Sequence, residues 1–588
     1  MDIFNVFTML GGLALFLYGM NALGDGLAKL SGGRLEKILE KLTSNPLKGV
    51  LLGALVTAAI QSSSATTVMV VGFVNSGIMK LTQAITIIMG ANIGTTVTSW
   101  ILSLSGIESD SFFIQLLKPS SFSPILAVIG IIMVMFSKKE KKKDIGNILI
   151  GFAILMFGMD TMSAAVKPLA DVPEFTNILT MFSNPLIGVL AGAVLTAIIQ
   201  SSSASVGMLQ ALCVTGSLNY SMVFPIILGQ NVGTCVTAII SSIGASKNAK
   251  RTALVHLYFN LIGTAVFLIG FYGINLFVDF AILDDVAGPA GIAVIHSAFN
   301  VGATFILLPF AKGLEKLARL TIRNDKEDEK AKKLDTDFKT LDSRFLDQPS
   351  YAIEQARKVT INMAHHSKEC LFKAMSLLEH YDEEIANDVV DLENRVDKYE
   401  DHIGTYLVKL SSKNLSEKDS KILTELLHCI GDFERISDHA VNILEASREM
   451  KDKKLEFSQE ANEELKVFST AIRDILESTI VMFEESDMTV AGLIEPMEEV
   501  IDNLSDELKN RHIKRLTESK CTIELGFVFS DITTNFERIS DHCSNIAICL
   551  IEVNDNEFET HEYLDYIKHD SVEFKEKYNI FKEKYVLP

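Results

Sequence analysis

Two short runs of hydroxyl and amide side chains stand inside otherwise apolar sequence. The first is Gln61-Ser62-Ser63-Ser64-Ala65; the second, 139 residues on, is Gln200-Ser201-Ser202-Ser203-Ala204. Such groups both donate and accept hydrogen bonds, and at membrane depth protein, water or a bound solute must satisfy them. The offset holds without a gap. Gly19-Met20 maps onto Gly158-Met159, Asn45-Pro46-Leu47 onto Asn184-Pro185-Leu186, and Thr57 onto Thr196. Gly90-Ala91-Asn92-Ile93-Gly94-Thr95 maps onto Gly229-Gln230-Asn231-Val232-Gly233-Thr234. Two similar apolar halves, each broken by polar residues at its centre, form the pattern of a secondary transporter.

The residue types narrow the solute. Candidate ligands are Gln61, Ser62, Ser63, Ser64, Thr66, Asn92 and Thr95 in the first copy, and Gln200, Ser201, Ser202, Ser203, Ser205, Asn231 and Thr234 in the second. A broken helix adds unpaired backbone groups, N–H at its starts for anions and C=O at its ends for cations. Neither tip contains Lys or Arg, so a buried anion needs co-bound cations to offset its charge. Neither tip contains Asp or Glu, which disfavours a carboxylate proton relay. Hard oxygen ligands suit Na⁺, and the chemistry favours an oxyanion carried with sodium. A single Ser-Ser-Ser in a membrane helix is more often small-residue packing or back-bonding to the preceding turn; the matched second copy argues against that here. Asn-x-Gly-Thr, on the span after each tip, supplies either further oxygen ligands or a tight helix contact.

Elements that could hold such tips follow from charge and hydropathy. Residues 1–323 carry 20 Lys/Arg and 15 Asp/Glu, net +5, and residues 324–588 carry 34 and 59, net −25. An apolar, glycine-rich membrane part (1–323) therefore precedes a charged linker (324–348) and an acidic soluble part (349–588), and this acidity argues against nucleic acid as a partner. Apolar runs of near-spanning length lie at about 4–22, 83–104, 122–137, 145–162, 222–243, 253–277 and 289–310. The serine-bearing stretches 46–78 and 185–217 are too long for one span and are read as re-entrant hairpins. The N-terminal run lacks a basic n-region and a small-residue cleavage site, so it is expected to be retained as a span.

Seven crossings with the N-terminus outside put nearly every basic loop inside, leaving only Lys118 and Lys167 outside. Three crossings, an odd number, then separate equivalent points of repeat one (1–137) and repeat two (145–310). The repeats would therefore be inverted, with tips meeting near the midplane. A further echo, His256-x-x-Phe259-Asn260 with Thr264 against His296-x-x-Phe299-Asn300 with Thr304, reads better as hydrogen bonding that fixes helix register than as a site. Asp160 has Asn21 at the matching place and is read as interfacial. Seven cysteines, odd in number and without CxxC spacing, suit buried thiols in a reducing compartment.

The twin stretches Gln61–Thr67 (QSSSATT) and Gln200–Val206 (QSSSASV) resemble those of the type II sodium–phosphate cotransporter family, over roughly residues 1–312. The resemblance implies inorganic phosphate as substrate, bound where the two hairpins meet with Na⁺ as co-substrate. Gln61 to Ser64 and Gln200 to Ser203 match the family's motif residues. The second copy departs from it: Ser205 and Val206 stand where Thr66 and Thr67 stand in the first.

Beyond Pro349, heptad-like apolar spacing recurs near 351–380, 382–411, 417–450, 459–486, 488–515 and 518–552, with Ser416-x-x-Asp419 as a capping box. Six helices in two sets of three suggest a doubled three-helix bundle. Phe433-Glu434-Arg435-Ile436-Ser437-Asp438-His439 returns as Phe536-Glu537-Arg538-Ile539-Ser540-Asp541-His542, and Glu393-x-x-x-Asp397 as Glu498-x-x-x-Asp502. Carboxylates four apart share a helix face. Glu393, Asp397, Glu434 and Asp438, and likewise Glu498, Asp502, Glu537 and Asp541, could form an oxygen cage for a divalent or trivalent metal; a solvated acidic face is the alternative. This part, roughly 350–552, resembles the PhoU-like domain, whose E-x-x-x-D motifs bind metal clusters. The tail 560–585 could pack as one more amphipathic helix.

The expected fold is all-α: a polytopic membrane domain of two inverted repeats with re-entrant helical hairpins, followed by a soluble doubled three-helix bundle. The expected function is sodium-coupled phosphate transport across the bacterial inner membrane, with the soluble domain in the cytoplasm as regulator. Export under phosphate excess, and a phosphate-sensing receptor without turnover, remain alternatives. Expected partners are phosphate, Na⁺ and the lipid bilayer, with a homodimer and a cytosolic regulatory protein as further candidates. Without a Gly-rich phosphate loop, nucleophile triad or Cys/His zinc spacing, no enzyme is expected.

Overall fold

The computed structural model describes residues 3–31, 45–106, 119–168, 172, 179–323, 338–554 and 572–588. The inner-loop placement expected for Arg34, Lys37 and Lys41, the outer placement of Lys118, and the expectations for the linker residues 324–337 and the tail residues 560–571 lie outside the described residues. The described chain is helical, with a single isolated bridge pairing Asn219 with Val286. Two compact units divide after Tyr351.

The first unit opens with α1 (Ile3–Ser31), α2 (Pro46–Ile60), α3 (Ser63–Asn75), α4 (Leu81–Ser103), α5 (Pro119–Phe136) and α6 (Glu140–Val166). The second copy supplies α7 (Pro185–Ile199), α8 (Ser202–Cys213), α9 (Tyr220–Gly233), α10 (Cys235–Ser241), α11 (Lys247–Val278), α12 (Pro289–Leu307) and the short α13 (Ala311–Thr321). Six described helical stretches are long and apolar enough to cross a membrane. The run expected at 122–137 forms the shorter α5, eighteen residues or roughly 27 Å at 1.5 Å per residue. Large apolar side chains stay exposed along these helices, Phe277 at 91%, Phe305 at 82% and Ile198 at 75% among them. A soluble fold would bury such a coat, and lipid is the environment it suits.

Glycine sets the packing inside. A Cβ on Gly53 would stand 2.1 Å from the Ile87 carbonyl oxygen, and one on Gly90 2.0 Å from that of Val50, so α2 and α4 touch backbone to backbone. Gly192 and Gly229 do the same for α7 and α9, against Ile226 and Val189. Without a hydrophobic drive between helices in lipid, close approach of this kind is what holds them. The first helices of the two copies meet in the same way. Gly19 lies against the Leu155 backbone and Gly158 against that of Phe16, each with a would-be Cβ 2.3 Å from the amide nitrogen. Residue 155 is the counterpart of 16 under the 139 offset, so the seam is reciprocal.

The second unit holds α14 (Pro349–Leu377, entered from the first unit), α15 (Glu383–Ser411), α16 (Glu417–Lys453), α17 (Gln459–Glu485), α18 (Met488–Thr517) and α19 (Ile523–Asn554), close to the bounds expected from heptad spacing. The Ser416 hydroxyl accepts from the Asp419 amide at 3.1 Å to cap α16. The repeated histidines pin α16 to α19: His439 Nδ1 bonds Asn535 Oδ1 at 2.8 Å, and His542 Nδ1 bonds Asp432 Oδ1 at 2.9 Å. Asn535 is the counterpart of Asp432 in the soluble repeat, so this contact is reciprocal too. Within the tail, α20 (Val572–Lys584) packs on the bundle through Tyr585, whose hydroxyl donates to Asp474 Oδ2 at 2.7 Å, and through the Pro588 carbonyl, which accepts from Arg511 at 2.7 Å.

Residues 338–348, expected as linker, instead pack with the first unit as two short 3₁₀ turns, Phe338–Thr340 and Ser343–Phe345. Its charges continue through Lys339, Asp342, Arg344 and Asp347, but Phe338, Leu341, Phe345 and Leu346 interleave with them and give this stretch apolar side chains to bury.

Candidate functional site

Each Gln-Ser-Ser-Ser run forms one and the same local structure. The incoming helix starts on Asn45 or Asn184, whose side chain accepts from the amide of Leu47 or Leu186, with Pro at the first helical position. It ends at Gln61 (φ 59°) or Gln200 (φ 58°), both in the left-handed region. Their amides close back on the Thr57 and Thr196 carbonyls. Ser62 and Ser201 then cap the next helix, accepting from the amides of Ala65 and Ala204 at 3.2 Å. The backbone thus stops and restarts over two residues. The Ser63-Ser64 and Ser202-Ser203 amides stand at fresh helix starts, where N–H groups have no acceptor within the helix.

A hydroxyl brace closes each break. Thr57 Oγ1 donates to Thr66 Oγ1 at 3.1 Å, and Thr196 Oγ1 to Ser205 Oγ at 2.8 Å, all four residues fully buried. Thr66 and Ser205, expected as ligands, therefore use their hydroxyls within the hairpin. The substitution of Ser205 for Thr66 keeps the hydroxyl and with it the brace.

The two breaks meet. Ser64 Oγ lies 3.5 Å from the Gln200 carbonyl oxygen and 3.5 Å from Thr237 Oγ1. Ser63, Ser202 and Ser203 are buried, Ser62, Ser64, Ser201 and Gln61 half-buried, and Gln200 exposed.

Asn92, Thr95, Asn231 and Thr234 are buried on the following spans. Asn92 Oδ1 faces His256 Nε2 at 3.2 Å, whereas Thr95, Asn231 and Thr234 bond to carbonyls of their own helices. Gly94 and Gly233 of the same motif press on Ala54, Thr57, Ala193 and Thr196. The motif's glycine therefore makes the tight helix contact, and its asparagine serves the polar interior.

Several polar groups beside the breaks were not singled out from sequence. Thr98 Oγ1 donates to Gln61 Oε1 at 2.9 Å. Its counterpart under the 139 offset is Thr237, which reaches the opposite break; extending the repeat alignment a few residues would have found the pair. Gln210 donates to the Ser99 and Pro289 carbonyls and Gln230 to that of Ser205. These glutamines stand where the first copy has Val71 and Ala91, and an unmatched amide in an apolar span was their signal. Ser99 Oγ lies 2.7 Å from His296 Nδ1, so both echoed histidines join spans together. Among the described residues, the buried side-chain amide oxygens of Gln210, Gln230, Asn260 and Asn300 have no hydrogen-bond partner.

In the soluble unit the carboxylates divide unequally. Glu498, Asp502 and Asp541 each bring an oxygen within 4.8 Å of the others. Glu537, expected as the fourth, is drawn off: its Oε2 accepts from Ser505 Oγ and Lys509 Nζ, both at 2.7 Å. Those bonds hold its carboxyl below the usual range against the opposing effect of burial. Burial pushes the Asp541 carboxyl up. Three adjacent carboxylates with partly buried oxygens suit a hard divalent cation. In the other half, Glu393, Asp397, Glu434 and Asp438 are neighbours, but no three of them bring oxygens mutually within that distance. Burial, followed by repulsion from Asp438, pushes the Glu434 carboxyl up to about 7, while burial with Asp438 and Asp397 raises that of Glu393.

A multi-pass membrane unit with two polar helix breaks, followed by a helical bundle of repeated carboxylate motifs, defines a transporter carrying a soluble domain. The sequence profile described as Na+/Pi-cotransporter matches residues 15–164 and again 154–283, and that described as PhoU domain matches 360–447 and 465–550. The chain is 30% identical over 311 residues to "Uncharacterized protein YqeW" of Bacillus subtilis, covering 53% of this chain and 96% of that one. It is 25% identical over 567 residues to "Putative inorganic phosphate export protein YjbB" of Salmonella typhimurium, covering 94% and 99%. It is 42% identical over 99 residues to "Sodium-dependent phosphate transport protein 2A" of Rattus norvegicus, covering 16% and 15%. The chain belongs to the Na+/Pi-cotransporter family and carries a PhoU-like helical domain at its C-terminal end.

Proposed function

We propose that this protein moves inorganic phosphate together with Na⁺ across the inner membrane by alternating access at the meeting point of the two Gln-Ser-Ser-Ser breaks. The carrying observation is the paired geometry: two left-handed glutamines, two capping serines, and the contact between Ser64 and Gln200. Helix starts at Ser63-Ser64 and Ser202-Ser203 offer N–H and hydroxyl donors to phosphate oxygens. No basic side chain lies in either tip, so sodium supplies the balancing charge. The partnerless amide oxygens of Gln210, Gln230, Asn260 and Asn300 are the hard donors that sodium takes. The reciprocal Gly19–Leu155 and Gly158–Phe16 seam supports a two-fold relation between the halves, which inversion in the membrane plane supplies and the charge asymmetry of the loops favours. In this reading each break is re-entrant, the N-terminus lies outside and the PhoU-like domain in the cytoplasm.

Carriers run down the combined gradient present. The full-length likeness to relatives named for phosphate export favours export as the direction of net movement. The PhoU-like domain is the regulator, with Glu498, Asp502 and Asp541 holding a divalent cation and Glu393, Asp397, Glu434 and Asp438 a second, looser set. Replacing Ser63 or Ser202 by Ala and measuring sodium-dependent phosphate flux in proteoliposomes tests the site. Loss of flux in both variants is the expected result, and unchanged flux in both refutes the assignment.

A further inference from the structure

The outgoing arm of the first break, α3, ends in a set of contacts that its counterpart in the second copy cannot make. Asn75, the last residue of α3, bonds in two directions. Its Oδ1 accepts from the Ser246 amide at 2.7 Å, at the residue that caps α11. Its Nδ2 donates to Asp342 Oδ2 at 2.7 Å. Asp342 is buried and is held in place from its own segment, accepting from the Arg344 amide at 2.9 Å and from Arg344 Nη1 at 2.6 Å. Arg344 Nε in turn donates to the carbonyl of Ser241, the last residue of α10, at 2.7 Å.

Between these polar anchors sits Phe345, fully buried. Its ring centroid is 5.4 Å from that of Phe73 and 5.0 Å from that of Tyr351, and Phe73 and Tyr351 are 5.3 Å apart. Gly72 makes room for it: a Cβ there would stand 2.7 Å from Phe345 Cε1. Under the 139 offset Gly72, Phe73 and Asn75 correspond to Ala211, Leu212 and Val214. The second copy thus lacks the notch, the ring and the amide. At these three positions the repeat departs from its own symmetry, and all three face residues 342–351.

The other end of α3 is the serine break itself. Thirteen residues from Ser63 to Asn75 make a rod of roughly 20 Å at 1.5 Å per residue. A force applied at Asn75 therefore reaches Ser63 and Ser64 through a continuous hydrogen-bonded helix. The segment gripping Asn75 runs directly into α14, the helix that enters the soluble unit.

We propose that Asp342, Arg344 and Phe345 form a strap that clamps the outgoing arm of the first serine break to α10 and α11. Transport requires the strap to loosen, and the chain leading into the PhoU-like domain sets how readily it does so. Ser241 and Ser246 belong to the second copy and Asn75 to the first, so the strap ties the two halves together at the ends of their helices. Alternating access moves the halves against each other, and a tie between them opposes that motion. This inference rests on the transport reading given above.

The test is a short bifunctional thiosulfonate link between Asn75→Cys and Asp342→Cys. The background replaces Cys521 and Cys549, the partly exposed cysteines, by Ser. Phosphate exchange is measured in proteoliposomes before linking, after linking, and after reduction. The expected result is exchange before linking, arrest on linking, and recovery with reductant. In a separate variant, Phe345→Ala should speed exchange about fivefold, the factor that one aromatic ring pair of about 1 kcal/mol represents. Exchange at the full rate with the link in place overturns the proposal, and so does failure of the link to form in the embedded protein. If Phe345→Ala is not monodisperse, the linking experiment decides alone. Absence of exchange from the unsubstituted protein would count against phosphate transport rather than the strap, whose seating the yield of the link still reports.

Discussion

Replacing Thr196 by Val probes the hydroxyl brace with almost no change of shape. Thr196 and Ser205 are fully buried and their oxygens lie 2.8 Å apart. Valine puts a methyl group where the hydroxyl stood, which loses the bond and crowds the Ser205 oxygen. A hydrogen bond contributes about 1 kcal/mol net, and an abandoned buried partner costs roughly 1–3 kcal/mol more. The lower end applies here, because Ser205 can turn toward the Ser201 carbonyl, as Thr66 turns toward that of Ser62 at 3.1 Å. A loss of about 1–2 kcal/mol in the ordered break corresponds to phosphate bound roughly 5–30-fold more weakly, since about 1.4 kcal/mol is tenfold. The assay is the apparent KM for sodium-dependent phosphate uptake into proteoliposomes, with monodispersity of the purified protein as control. Thr196→Val combined with Ser205→Ala should recover most of the loss, because removing both partners of a bond is close to neutral. A double variant as impaired as the sum of the two singles would show that Ser205 binds the solute itself and would refute the brace.

Two further outcomes concern the soluble unit. Burial pushes the Glu425 carboxyl up to about 7, against the lowering effect of Arg357. A raised carboxyl favours folding fully below its unfolded value near 4.5, and that contribution disappears as pH rises through about 7. Heat stability of the full-length protein should therefore fall between pH 5 and pH 8 by up to about 3 kcal/mol from this group. Glu425→Gln should flatten the profile, and an unchanged slope in thermal unfolding would remove Glu425 as its source. Elemental analysis of the purified protein should find a divalent metal that Asp502→Asn together with Asp541→Asn removes while the protein stays folded; equal metal content in both proteins would exclude the trio of Glu498, Asp502 and Asp541.

Much of this could be read from the chain because local rules determine it. Asn-Pro begins α2 and α7, a serine caps α3 and α8, and heptad spacing sets the bounds of the bundle helices, so both breaks and six soluble helices could be placed from sequence. Partners brought together by tertiary packing were not legible in this way. The residue across from Thr66 is Thr57, one helical turn before the break, and only the fold of the two arms puts their hydroxyls together. Glu537 looked like a metal ligand by its repeat position, but Lys509, two turns beyond Asp502 on the same helix, takes its oxygen. The contacts of Asp342, Arg344 and Phe345 were not legible in the same way, because composition averaged over residues 324–348 is charged while the few apolar residues at its end decide its packing.

The central claim is that phosphate crosses with sodium at the joined serine breaks. Its most direct test is phosphate movement in proteoliposomes with a sodium gradient and a phosphate gradient imposed in turn, in both orientations. The account predicts that a sodium gradient alone drives phosphate uphill in the direction sodium flows, and that a phosphate gradient drives sodium with it. Phosphate binding without movement under any gradient, or movement indifferent to sodium, would contradict it.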